Sequence, residues 1–210
     1  MHLDVPVIGI LRGIAEDLLG PIMDASFQSG LQALEVTFNT PQAEKMVAGQ
    51  VARVPPSKLL GMGTIRNLVE AKKAVDAGAM FLVSPNTDSA VIAFAKRSNI
   101  PIVAGAFTPT EVYRAWSEGA DMVKVFPCGQ LGPGYIRELL GPYDQIPLVA
   151  VGGVTGENVA RYLQAGARAV GVGTSLFGKK ALAERQPVDI AASVQTFIRS
   201  AMACPPDLIC

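Results

Sequence analysis

The sequence predicts an α/β fold: a single, parallel, eight-stranded (β/α)8 barrel over residues 1–210. Three observations predict it. Eight short apolar runs rich in β-branched residues recur along the chain, stretches with helical spacing lie between them, and glycines close several of those stretches at a regular interval.

Val5 to Leu11 is the first strand, and Leu19, Ile22, Met23 and Phe27 mark the apolar face of the helix after it. Ala33 to Phe38 is the second strand and Leu59 to Thr64 the third. Asn67, with Glu70 three residues on, then starts a helix. Phe81 to Ser84 is the fourth strand, followed by a cap at Asp88, and Ile102 to Ala106 is the fifth. Thr108-Pro109-Thr110-Glu111 supplies a capping threonine, a proline at the first helical position and a glutamate that reaches back to the cap, which together satisfy the free amides of a helix start. Met122 to Phe126 is the sixth strand and Leu148 to Val151 the seventh. Thr155 reads as the cap ahead of Val159, Tyr162 and Leu163. Ala169 to Gly173 is the eighth strand, and the last helix runs from Val188 to Met202.

Gly30, Gly78, Gly119 and Gly166, about 41 to 48 residues apart, each stand where a helix ends and a strand follows. Glycine suits that position because it takes the left-handed conformation without steric cost. The alternative, an open doubly wound sheet, lacks its usual glycine fingerprint after the first strand. At 210 residues the chain is close to the lower size of such barrels, about 200. Because it begins almost at the first strand, an N-terminal helix capping the barrel floor is expected to be absent.

Half of the residues are hydrophobic and 17% are charged, enough apolar material for a large core. Eighteen basic residues balance eighteen acidic ones with no basic block, which argues against nucleic acid or an anionic membrane as partner. No apolar run reaches the roughly 18 residues of a membrane span, and no signal peptide is evident, so the cytoplasm is the expected compartment. Cys128, Cys204 and Cys210 lack metal-site spacing, and the one histidine is His2. A histidine-built zinc site and a Cys-His or Ser-His nucleophile pair are thereby excluded, and no cofactor or metal is expected.

Alternate residues of a barrel strand face the lumen, and catalytic groups stand at the C-terminal strand ends. Strand six puts Met122, Lys124 and Phe126 on the lumen face, with the two valines against the helices. Burial disfavours the ammonium form, so a lumen lysine is either a carbonyl nucleophile or half of a structural ion pair. In strand two, Glu35 and Thr37 face inward. Arg12 at the end of strand one and Thr64 at the end of strand three also point to the lumen, though Arg12 could be a rim salt bridge and Thr64 a helix cap. Together these residues can hold a small keto acid: Arg12 and Thr64 on its carboxylate, Lys124 on its carbonyl, Glu35 moving protons. Gly152, Gly153, Gly171, Gly173 and Thr174, after strands seven and eight, occupy the usual phosphate position of such barrels, although turns also use glycine freely. Met62, Met122 and Phe126 read as barrel filling and pocket wall, and Cys128 as a small packing residue.

Seven segments carry a resemblance. Val7-Ile8-Gly9-Ile10-Leu11-Arg12-Gly13, Leu34-Glu35-Val36-Thr37, Gly61-Met62-Gly63-Thr64, Val83-Ser84-Pro85, Thr108-Pro109-Thr110-Glu111, Lys124-Val125-Phe126-Pro127 and Val151-Gly152-Gly153-Val154 resemble, in order, motifs of the 2-keto-3-deoxy-6-phosphogluconate, 2-keto-3-deoxy-6-phosphogalactonate and 4-hydroxy-2-oxoglutarate aldolases. The resemblance, from about Pro6 to Phe177, implies a metal-independent Schiff-base aldolase on a TIM barrel, acting on small keto acids and aldehydes and assembled as a homotrimer. By the same resemblance Lys124 forms the Schiff base and Glu35 is the general acid/base. Thr37, Ser84, Pro85, Phe126 and Val151 would shape the pocket. Asn39 departs from the pattern, since many phosphogluconate enzymes carry a carboxylate-binding arginine there; relatives without it tend to have one where Arg12 stands. Ala150-Val151 resembles the galactonate branch and Thr37 the gluconate branch, which leaves the substrate's C4 configuration open. A non-Schiff-base phosphate barrel, an isomerase or synthase, is the rival among enzymes, and a sugar-acid binding module the rival outside them.

Overall fold

The computed structural model describes residues Met1 to Ala203; Cys204 and Cys210 lie outside the described residues. Eight parallel strands close in sequential order, with β8 pairing back to β1. They are β1 Val7–Leu11, β2 Ala33–Thr37, β3 Leu59–Gly63, β4 Leu82–Val83, β5 Ile102–Ala106, β6 Met122–Val125, β7 Leu148–Val151 and β8 Ala169–Val172. The helices are α1 Leu19–Gln28, α2 Ala43–Gln50, α3 Leu68–Asp76, α4 Ser89–Arg97, α5 Pro109–Ser117, α6 Gly132–Leu140, α7 Val159–Gln164, α8 Thr174–Phe177, α9 Lys179–Ala183 and α10 Pro187–Met202. The chain is a (β/α)8 barrel, as the alternation predicts.

Side-chain caps set the starts of α3, α4 and α5. Asn67 and Asp88 accept the amides of Glu70 and Val91, and Thr108 with Glu111 forms a reciprocal capping box. Thr155, expected to cap α7, does not. Asn158 precedes α7 instead, its Oδ1 accepting the Thr155 amide, because a turn intervenes between β7 and the helix. Gly30, Gly78, Gly119 and Gly166 follow their helices with φ between 88° and 102°, as their place in the repeat requires.

Alternation along the strands separates two apolar layers. Leu34, Val36, Val123, Val125, Leu148 and Val170 face the helices, in one cluster with Ile22, Met23 and Phe177. Ile8, Ala33, Phe81, Val83, Val103, Met122, Val149, Val151 and Ala169 fill the lumen. Residues 1–6 contain no helix; Leu3, 7% exposed, packs with the lumen cluster, and Met1 packs against it. The lower barrel is therefore a solid apolar floor. Met62 corrects the expectation of barrel filling: it points outward into the helix layer, and Gly61 and Gly63 take the lumen positions of β3.

Candidate active site

Above the apolar floor the lumen turns polar. Glu35, in the middle of β2, is 1% exposed, and Lys124 on β6 is 5% exposed. Ile8, Ile10, Val83, Val103, Val149, Val151 and Gly171 line the small cavity these two share, about 10 Å³ in volume. Their side chains form no ion pair with each other within 4.0 Å, and Glu35 Oε2 is buried without a hydrogen-bond partner among the described residues. Lys124 Nζ lies 4.9 Å from the centre of the Phe126 ring, which stands exposed at the mouth.

Electrostatics follow from that burial. Loss of water pushes the Glu35 carboxyl up from its ordinary 4.5 to about 7, against the opposing pull of Lys124 and then Arg12. Burial lowers the Lys124 ammonium; Glu35 opposes this effect and Arg12 reinforces it. A carboxyl group titrating near neutrality beside a lysine biased towards its free amine can exchange protons with a bound substrate while the amine attacks a carbonyl.

Glu35 needs room that only one residue type leaves. The missing side chain of Gly63 creates its slot, because a Cβ at that position would overlap the carboxyl group. Sequence reasoning misses this role of Gly63, although its lumen parity beside Glu35 is the signal that could reveal it.

Arg12, directly after β1, reaches the mouth of the lumen. Its guanidinium donates to Asn39 Oδ1 at 3.1 Å and to Thr64 Oγ1 at 3.2 Å. Thr64 does not arrive by strict alternation: it follows β3 with φ of 58°, and that left-handed residue turns its hydroxyl towards Arg12. Two residues expected to shape the pocket have engaged hydroxyls. Thr37, wholly buried, bonds Thr40 Oγ1 at 2.9 Å, while Ser84 donates to Asn86 O and accepts the Gly105 amide. Val151 belongs to the lumen wall and Pro85 is half-buried beside β4.

Gly152 and Gly153 follow β7 with φ of 96° and 75°, and Gly129 approaches them so closely that a side chain on Gly129 or Gly153 would crowd the other loop's backbone. Gly173 precedes α8, and Thr174 opens it with an exposed side chain. Cys128 beneath is fully buried; its thiol donates to Gly152 O at 3.3 Å and burial raises its pKa, so it packs rather than reacts. Among the described residues, no group of three or more His, Cys, Asp or Glu side chains is placed to hold a metal, and no helix is long and apolar enough to cross a membrane.

The family model described as "Aldolase: KDPG and KHG aldolase" matches residues 3–193. The chain belongs to this aldolase family. It is 34% identical over 195 residues to 2-dehydro-3-deoxy-6-phosphogalactonate aldolase of Escherichia coli, a match covering 92% of this chain and 95% of that one. Among solved structures the aldolase is similar to one described as native KDPGal, with TM-score 0.90, 30% identity and coverage of 97% and 98%. It is also similar to KDPG aldolase from Legionella pneumophila, with pyruvate captured as a covalent carbinolamine, at TM-score 0.85, 25% identity and coverage of 92% and 94%. The chain is thus a lyase of the KDPG/KDPGal type, as its motif order implies.

Proposed function

We propose that this aldolase reversibly cleaves a 2-keto-3-deoxy-6-phospho sugar acid to pyruvate and glyceraldehyde 3-phosphate through a Schiff base on Lys124. The observation that carries the reading is the pair itself: a buried lysine without an ion-pair partner among the described residues and a buried carboxyl near neutrality, in one lumen. The carbinolamine described for the Legionella relative is the first adduct such a lysine would form.

The Lys124 amine adds to the C2 carbonyl, and loss of water gives an iminium. Glu35 takes the C4 hydroxyl proton, the C3–C4 bond breaks, and its electrons pass into the iminium to leave an enamine and a free aldehyde. Glu35 returns the proton to C3, and water then releases pyruvate and the amine. Arg12 and Thr64 bind the carboxylate. Gly152, Gly153, Gly173 and Thr174 receive the phosphate, with glycine backbone able to approach the anion closely. No cofactor or metal takes part in this scheme. We further infer that the enzyme works in the cytoplasm as a homotrimer.

Pyruvate with borohydride tests the chemistry. Reduction is expected to add one pyruvyl unit to Lys124; an unmodified protein would make this a phosphate barrel of another kind, with Lys124 acting only as a charge. The family model also names KHG, and pyruvate release assayed in parallel from the gluconate, galactonate and hydroxyglutarate substrates decides among them. Turnover of hydroxyglutarate alone would remove the phosphate assignment.

A further inference from the structure

Arg12 is the exposed cation closest in role to the reacting groups, and the way it is held is unusual. Both of its hydrogen bonds inside the protein go to neutral oxygens, on Asn39 and Thr64, and no carboxylate lies within 4.0 Å of its guanidinium among the described residues. An acidic partner would fix the side chain equally well but would cancel the field that an incoming anion feels. Neutral acceptors fix the direction and leave the charge free.

The residue after Asn39 holds the backbone beside the same arginine. Thr40, 2% exposed, accepts the Gly13 amide on its Oγ1 at 2.9 Å and shares a 2.9 Å hydrogen bond with Thr37 Oγ1. The Thr40 amide donates to Thr37 O at 2.8 Å, which closes a tight turn at the end of β2. Gly13 is left-handed, with φ of 64°, and the direction a side chain would take from it is open, so the Thr40 bond is the side-chain contact that holds the turn leaving Arg12.

We propose that Asn39 and Thr40 are positioning residues for Arg12: Asn39 aims the guanidinium, and Thr40 pins the following turn, so that an oriented and uncompensated cation meets the substrate carboxylate above Lys124. The proposal rests on the reading that Arg12 binds that carboxylate. It gives the exposed Asn39 side chain a task of its own. It also explains why the Thr37 hydroxyl turns away from the pocket into Thr40.

Concentration dependence of pyruvate trapping by borohydride on Lys124 separates binding from chemistry. Asn39→Ala is expected to raise the half-saturating pyruvate concentration about tenfold while the maximal trapping rate stays within about twofold, the signature of lost uniform binding. Asn39→Asp, equal in size, is expected to raise it further, because its carboxylate pairs with Arg12. Thr40→Val should weaken pyruvate likewise, and Thr40→Ser should restore parental binding. A merely structural Asn39 would change melting temperature and leave pyruvate saturation alone. Parental half-saturation in both Asn39 variants overturns the proposal for that residue, and Asn39 is exposed enough that these variants test it even if Thr40→Val does not fold. Arg12→Met is the reference. If it too saturates like the parent, the carboxylate reading fails; if it alone is weakened, only the positioning proposal fails.

Discussion

Glu35 is the residue on which burial and chemistry meet most directly. Its carboxyl group binds a proton more tightly in the folded chain, near 7, than at its ordinary 4.5 in the unfolded one. Between those values the folded state holds the extra proton, so stability contributed by this group falls as pH rises from about 4.5 to about 7 and stays low above. Glu35→Gln removes the ionisation, and is expected to melt higher than the parent above pH 7, by about 3 kcal/mol of stability, with the difference vanishing near pH 4. The same variant is expected to lose about 10²- to 10⁴-fold in cleavage rate, the usual worth of a positioned acid/base. Calorimetry at several pH values and a pyruvate-release assay check the two halves. In the parent, cleavage should rise with pH through about 7, since the ionised carboxylate is the form that accepts the hydroxyl proton.

The strand is the scale at which the sequence was most legible. Leu34 and Val36 alternate with Glu35 and Thr37, and Val123 and Val125 with Met122 and Lys124, because parallel barrel strands have no freedom to change faces without breaking their ladder. That periodicity alone places Glu35 and Lys124 in one lumen. It was not enough for Thr64, whose positive φ leaves the strand pattern, nor for Met62, which that error carried to the wrong face. Nor could periodicity show that the hydroxyls of Thr37 and Ser84 are spent on Thr40, Asn86 and Gly105, since those bonds depend on turn geometry beyond the strand ends. β3 supplies two predictions. Gly63→Ala is expected to displace the Glu35 carboxyl and lower kcat more than tenfold, and near-normal kcat would mean the slot is wider than it looks. Phe81, wholly buried, lies over Gly61 in the lumen; Phe81→Ala should cost about 3–5 kcal/mol of stability in denaturant unfolding, the range for large aromatic truncations.

At the scale of the whole molecule, the side of the barrel around α5 and α6 carries exposed aromatic groups. Phe107 stacks near Tyr135 with centroids 5.9 Å apart, Tyr113 near Tyr143 at 5.7 Å, and Leu131 is 47% exposed. Two of these, Phe107 and Tyr143, had no role readable from sequence, since exposure is a property of the assembled helix layer. A side rich in tyrosine and phenylalanine is suited to burial against a second copy. Light scattering is expected to return three times the 22.0 kDa chain mass, and Tyr113→Glu to shift it towards the single chain; a monomeric parent would contradict the trimer.

The apolar floor closed by Leu3 and its neighbours leaves the lumen open at one end only. On the proposed chemistry substrate and products share that one mouth, and after cleavage the three remaining carbons stay bonded to Lys124 while the aldehyde is already free. Departure becomes ordered: aldehyde first, pyruvate last. Product inhibition should record this as a queue, with pyruvate binding the free enzyme and the aldehyde binding only the enzyme already carrying pyruvate.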